Sequence, residues 1–214
     1  MNIYQYLPGL LISHKPVIFE LGGHDGDTAN KLNKLIQSCV ADYEYYVFEP
    51  DPRVRQSISN VAGKFKQVTF IPKAVGDRAG KTVLYLSDGH DKTNGTTQWY
   101  NASSSTYKPT EHLFNAWSDI VFDEQVEVDI VTLDDFWSGG IIDFIWSDIQ
   151  GAELAMIKGG QKTLANTRYL FTEYNNERYY EQCPNLNEIM EALPGWTIVY
   201  DFGGDALLRN EVHG

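Results

Sequence analysis

Two short stretches near the start of the chain constrain its fold more than anything else. Val17-Ile18-Phe19-Glu20-Leu21 is an apolar strand that runs into Gly22-Gly23-His24-Asp25-Gly26-Asp27-Thr28, a glycine-containing turn followed by helix-forming sequence. Tyr45-Tyr46-Val47-Phe48-Glu49 is a second apolar strand, stopping on a carboxylate before Pro50-Asp51-Pro52. In an open α/β sheet the ligand crevice lies beyond the carboxyl ends of the strands, where glycines let the backbone come close. Glu49 follows Gly26 at about the 20-residue spacing from which an acidic side chain reaches ribose hydroxyls. The opening quarter of the chain therefore reads as a nucleoside-binding half.

The loop also says which nucleoside is excluded. A dinucleotide fingerprint needs G-x-G-x-x-G to bring a pyrophosphate onto a helix N-terminus. His24 stands where that pattern needs its second glycine, and no G-x-x-x-x-G-K-[ST] phosphate loop occurs in the chain. Glu20, Asp25 and Asp27 would repel a pyrophosphate nearby. An acidic, glycine-containing loop suits a ligand with a cationic amine and no phosphate, which describes S-adenosylmethionine.

The motifs point the same way. Glu20-x-Gly22-x-x-x-Gly26 resembles the first motif of class I methyltransferases. Phe48-Glu49-Pro50-Asp51-Pro52, Ala74-Val75-Gly76-Asp77, Thr132-Leu133-Asp134-Asp135-Phe136 and the run from Ile142 through Asp148-Ile149-Gln150-Gly151-Ala152-Glu153-Leu154 resemble, in order, the blocks of the FkbM-type methyltransferases. The resemblance covers roughly Pro16 to Glu173. Four positions depart from it: Glu20 replaces the usual aspartate, His24 the usual asparagine, and Trp146-Ser147 a frequent lysine-isoleucine pair. The resemblance implies O-methylation of sugar or natural-product hydroxyls. An N-methyltransferase, another nucleotide-dependent enzyme on the same fold, and a non-catalytic cofactor-binding protein are the alternatives, because fold alone does not decide chemistry.

The expected fold is a Rossmann-like α/β domain with a mainly parallel seven-stranded sheet, helices on both faces and a C-terminal antiparallel hairpin, spanning residues 1–214 as one domain. Residues 1–15 form a helical extension, with Ile3, Leu7, Leu10 and Leu11 at helical spacing to cover one sheet edge. Strands are expected at Val17–Glu20, Tyr45–Glu49, Val68–Ile71, Asp143–Asp148 and Tyr169–Tyr174, with an added strand at Lys81–Leu86. Helices are expected after Asp27 or Thr28 as cap, over Pro52–Val61, over Ala152–Leu164 and around Leu186–Leu193. The tail pairs Thr197–Tyr200 with Ala206–Leu208. Residues 87–124 are polar and glycine-bearing but carry Trp99, Tyr100, Tyr107, Phe114, Trp117 and Phe122, which suits a partly ordered substrate lid or insertion.

With 29 acidic side chains against 17 Lys plus Arg, the formal charge of −12 leaves no basic stripe for nucleic acid and disfavours anionic membrane surfaces. The expected partner is a small molecule or glycan, and no membrane span is expected. Cys39 and Cys183 have no metal or redox spacing and are expected to be reduced, which with the absence of a signal-like N-terminus suits a cytoplasmic protein. The sequence does not indicate an oligomeric state.

The candidate cofactor-binding residues are Glu20, Gly22, Gly23, His24, Asp25, Gly26, Glu49, Pro50, Ala74, Val75 and Asp148. Gly22 and Gly26 allow close approach to the methionine part, Glu20 accepts from its amino group directly or through water, and Glu49 takes the ribose. Ala74 and Val75 lie where adenine sits in this fold. Asp148 and His24 are the catalytic candidates, each able to take a proton from a hydroxyl. Other roles stay open for both: cofactor contact for Asp148, and cofactor contact or a solvated loop position for His24. Asp148, Glu173 and Asn175 have the composition of a magnesium set, but generic spacing, so no metal ligands are assigned. Glu153, at a helix start, reads as structural.

Overall fold

The computed structural model describes residues 2–89 and 101–214. Helix α1 (Ile3–Leu10) is capped by Asn2, whose side chain and Gln5 form a reciprocal capping box. Strand β1 (Val17–Leu21) leads through the glycine loop into α2 (Asp27–Cys39), and β2 (Glu44–Phe48) leads into α3 (Arg55–Ala62). Then come β3 (Val68–Ile71), β4 (Ala74–Val75), β5 (Gly80–Gly89), α4 (Glu111–Ala116), β6 (Ile120–Val131) and α5 (Leu133–Phe136). The second half continues with β7 (Ile142–Ser147), α6 (Glu153–Gly159), α7 (Gln161–Ala165), β8 (Thr167–Glu173), α8 (Leu186–Ala192), β9 (Trp196–Asp201) and β10 (Asp205–Asn210).

The main sheet has seven strands in the order β3-β2-β1-β7-β8-β10-β9. β3, β2, β1, β7 and β8 run parallel, while β10 pairs antiparallel with both β8 and β9. The expected parallel sheet with a closing hairpin is thus present. Chain order reverses between β1 and β7, the switch point at which such sheets open a crevice.

Neighbouring strand residues face opposite layers, so both faces can be apolar at once. Phe19, Ile145, Leu170 and Leu208 pack with Met156 and Ile157 of α6 and Ile189 of α8. Ile18, Phe144, Phe171 and Leu207 pack under Ile3, Leu7 and Leu10 of α1 and Leu32 and Ile36 of α2. Helix α1 therefore covers the middle of one sheet face rather than an edge. Trp146, one of the departures from the family pattern, is part of that layer, with ring centroids 5.9 Å from Tyr4 and 4.5 Å from Phe171.

Other differences from expectation have local causes. The helix expected over Ala152–Leu164 is two helices, because the chain breaks at Gly160, where an added Cβ would lie 3.0 Å from Leu133 Cδ1 and from the Met156 carbonyl oxygen. Helix α2 has Gly26, not Asp27 or Thr28, at its cap position, and α3 begins at Arg55 rather than Pro52. Both ends of the 87–124 segment are strand: β5 runs on to Gly89 and β6 begins at Ile120. These two pair antiparallel and, with β4, form a second, three-stranded sheet. Trp99 and Tyr100 lie outside the described residues. No helix among the described residues is long and apolar enough to cross a membrane.

Candidate active site

The carboxyl ends of β1, β2 and β7 come together around Gly22. Its N–H donates to the Phe48 carbonyl (3.0 Å) at the end of β2, and Asp148 N–H donates to the Leu21 carbonyl (2.9 Å). Gly22 has φ +87°, and a Cβ there would lie 1.8 Å from the Asp148 carbonyl oxygen. Glycine is required at this position by the meeting of three strand ends, before any ligand is considered. Gly23 is held as tightly, since its Cβ would meet Val47 Cγ2 at 2.3 Å.

Above this junction lies a cavity of about 360 Å³. Its walls include Gly22, Gly23, His24, Asp25, Glu49, Pro50, Ala74, Val75 and Asp148, so nine of the eleven residues expected to bind cofactor surround one space. Gly26 and Glu20 do not line it. Gly26 ends the loop and its N–H donates to the Gly23 carbonyl at 2.9 Å. Glu20 lies beneath the loop with no exposed surface, its Oε2 accepting from the Tyr45 hydroxyl at 2.5 Å and its Oε1 unpartnered. Burial raises its pKa to about 8. Glu20 therefore does not line the cavity, because alternation along β1 turns its side chain toward α2 with Ile18.

Glu49 is 7% exposed and aimed by the backbone on either side. His24 N–H donates to Oε2 (2.8 Å) and Asp51 N–H to Oε1 (2.7 Å). His24 adopts φ +43°, which belongs to the same tight turn. Burial pushes the Glu49 carboxyl up to about 7, against the pull of those two N–H groups. Each oxygen keeps a lone pair for a further donor, such as a ribose hydroxyl. The ring of His24 is engaged: Nε2 lies 2.9 Å from Asn101 Oδ1 and Nδ1 lies 3.7 Å from Asp25 Oδ1.

Asp148 is exposed to the cavity just beyond β7. Gln150 Nε2 donates to Asp148 Oδ1 at 2.6 Å and to Glu173 Oε2 at 3.0 Å. Asn175 Nδ2 donates to Glu173 Oε1 at 3.2 Å. The three residues with the composition of a magnesium set are thus near one another, and amide nitrogens of Gln150 and Asn175 donate to three of their four carboxylate oxygens. No group of three or more His, Cys, Asp or Glu side chains able to hold a metal ion is present among the described residues. Glu153, the first residue of α6, is fully buried with one oxygen unpartnered, and burial raises it to about 7.

Several further residues line the cavity. Asn101, Ser104, Ser105 and Thr106 form a wall on the side of the second sheet, and Leu84 and Lys73 also contribute. Ser105 Oγ donates to the Gln150 carbonyl (2.6 Å), and Ser104 Oγ lies 3.1 Å from the Arg53 guanidinium. The Ser103-Ser104-Ser105 run was the available signal for this wall. Gln150 lay inside a motif already recognised, and Tyr180 had no signal at all.

The site's chemistry fits an adenosine carrying an amino group. Glu49 is poised for vicinal hydroxyls, Phe48, Ala74, Val75 and Leu84 offer apolar surface, and Asp148 offers an acceptor for a cation. Comparisons with known proteins agree. A family model described as the methyltransferase FkbM domain matches residues 20–200. The chain is 32% identical over 217 residues to the 2-O-methyltransferase NoeI of Sinorhizobium fredii, covering 98% of this chain and 86% of that protein. Among solved structures, the methyltransferase FkbM of Methylobacillus flagellatus KT superposes with a TM-score of 0.56 at 16% identity, over 92% of this chain and 44% of that one. The N-methyltransferase NodS of Bradyrhizobium japonicum WM9 superposes with a TM-score of 0.50 at 10% identity, over 97% of this chain and 92% of that one. At these identities the two structures speak for the fold alone.

Proposed function

We propose that this chain, which belongs to the FkbM methyltransferase family and is a methyltransferase, transfers a methyl group from S-adenosylmethionine to a hydroxyl of a sugar, glycan or small natural product. The observation that carries the reading is the single cavity at the ends of β1, β2 and β7 that holds both Glu49 and Asp148. Relation to a 2-O-methyltransferase supports oxygen as the acceptor atom.

When bound, S-adenosylmethionine supplies an electrophilic methyl group on a sulfonium. Glu49 accepts from the ribose hydroxyls, held in register by His24 and Asp51 N–H. Ala74 and Val75 flank the adenine, and the Gly22–Gly23 backbone with Asp25 and Pro50 forms the methionine and ribose walls. Asp148 would position the amino end and take the acceptor's hydroxyl proton as the O–C bond forms and the sulfur–methyl bond breaks, leaving the neutral thioether. Engagement of the His24 ring with Asn101 supports leaving the base role to Asp148. The protein must hold the acceptor oxygen in line, about 3–3.5 Å from the methyl carbon. The segment from 87 to 124, whose described part supplies a cavity wall, is read as the acceptor-side insertion.

The test is transfer of radiolabelled methyl to a panel of neutral methyl glycosides, oligosaccharides and polyols, with primary amines and an RNA hairpin as contrasts. Transfer to hydroxyl acceptors is expected, and transfer confined to amines or RNA would overturn the reading. Asp148→Asn should cut kcat by about 10²–10⁴, the usual range for general-base work. Full activity in that variant removes Asp148 from the chemistry.

A further inference from the structure

The cavity rim holds a hydrogen-bonded chain for which cofactor binding and proton removal give no task. Gln150 has φ +52° and Gly151 φ +94°, so the backbone turns sharply after β7. The Gln150 side chain then lies over Asp148 and Glu173. Its Nε2 donates to one carboxyl oxygen of each, while its Oε1 accepts from the Tyr180 hydroxyl at 3.0 Å. A primary amide has two N–H donors and one carbonyl acceptor, and all are matched here. Turned over, the amide would set its oxygen against two carboxyl groups. Tyr180 is 2% exposed, and its single hydroxyl hydrogen is shared between Gln150 Oε1 and the nearer Ser103 carbonyl, 2.6 Å away. The fixed amide orientation thus depends on a buried hydroxyl anchored to the cavity wall.

We propose that Gln150, held by Tyr180, is a positioning residue that joins Asp148 and Glu173 into one hydrogen-bonded pair and keeps the Asp148 carboxylate presented to the acceptor. The proposal rests on the reading of Asp148 as the base. Among the described residues, the titratable groups facing Glu173 are acidic or neutral: Asp148 beyond β7, Glu153 on α6, and Tyr180 and Cys183 in the loop after β8. Asp205, at the start of β10, is itself raised to about 6 by burial and by Asp148. Burial first, and then the Asp148 charge, raise Glu173 to about 9. At neutral pH the pair therefore retains one proton. The amide N–H that reaches Glu173 favours its ionised form and holds its pKa lower than it would be without that donor.

The experiment uses the intact protein labelled with ¹³C at Asp and Glu carboxyl carbons, titrated by NMR without cofactor or acceptor. In the wild type, Glu173 should titrate well above the other glutamates, and Asp148→Asn should bring it down. In Tyr180→Phe the Glu173 midpoint should rise, by about one pH unit, a typical single hydrogen-bond effect, while affinity for S-adenosylhomocysteine stays within twofold. An unmoved Glu173 midpoint in folded Tyr180→Phe overturns the proposal. Should Tyr180→Phe fail to fold, Gln150→Met keeps the volume without the donors, and the same rise is required of it. The base reading fails separately, through full activity of Asp148→Asn, which would leave these titrations as they are.

Discussion

Replacing Glu49 by alanine tests the nucleoside assignment where it is most exposed to refutation. The carboxylate is almost wholly buried and held by two backbone N–H groups, so its position does not depend on a ligand. Hydrogen bonds to a charged group contribute about 1.5–3 kcal/mol, so Glu49→Ala should weaken S-adenosylmethionine binding roughly 10- to 150-fold. Truncation also leaves the His24 and Asp51 N–H groups without their acceptor, and a loosened loop alone would weaken binding. The pH dependence separates the two causes. In the free protein the carboxyl sits near 7, and hydroxyl donors favour its ionised form, so binding lowers its pKa. Wild-type affinity should be constant above about pH 7 and fall below it by up to tenfold per unit, while Glu49→Ala should lack this dependence. Titration calorimetry from pH 5.5 to 8.5 measures both. A flat wild-type profile, or an alanine variant within twofold of wild type, would refute the assignment of Glu49 to the ribose.

Two further expectations follow from packing and linkage. Gly22→Ala places a methyl 1.8 Å from the Asp148 carbonyl oxygen at φ +87°, so it should lower Tm by several degrees and abolish cofactor binding; a wild-type melting curve would contradict the strand-end junction. Glu20, Glu49, Glu153 and Glu173 all have folded-state pKa values above their ordinary one, at about 8, 7, 7 and 9. Between about pH 4.5 and 9 the folded protein binds more protons than the unfolded chain, so the stability these groups contribute is fully present at the acid end and lost as pH rises. Tm without cofactor should therefore be higher near pH 5 than near pH 9, and the reverse order in a melting series would show that these carboxyls are not buried as described.

Much of the fold was legible because its signals are local. Ile18-Phe19 and Phe144-Ile145 are adjacent apolar pairs, and only a strand covered on both faces keeps both members dry. The strand β6 was legible too, since Val126-Glu127-Val128-Asp129-Ile130 alternates at the strand period. It escaped because its first half lies in a polar, aromatic-bearing segment that reads as loop, and because its partner β5 lies far back along the chain. The break at Gly160 and the placement of α1 over a sheet face depend on contacts with Leu133 and with Phe144, Phe171 and Leu207, which no window of sequence contains.

The candidate site divides along the same line. Residues at strand ends, such as Glu49 and Asp148, are fixed in position by their strands, so their approach to one cavity could be read from spacing. A motif gives a residue's position along the strand but not its face: Leu21 leads into the cavity loop, while Glu20 turns under α2 to Tyr45. Gln150, Tyr180 and Ser105 were hidden for a stronger reason. Their tasks exist only where the turn after β7, the loop after β8 and the wall beside the second sheet meet. Acidic side chains concentrated at such a meeting cannot all stay ionised, and the hydrogen bonds that settle where the proton resides come from neutral residues. Neutral residues carry the weakest sequence signal. The part of this site that sets its proton state is therefore the part a motif is least able to reveal, and the carboxyl titrations of Tyr180→Phe bear directly on it.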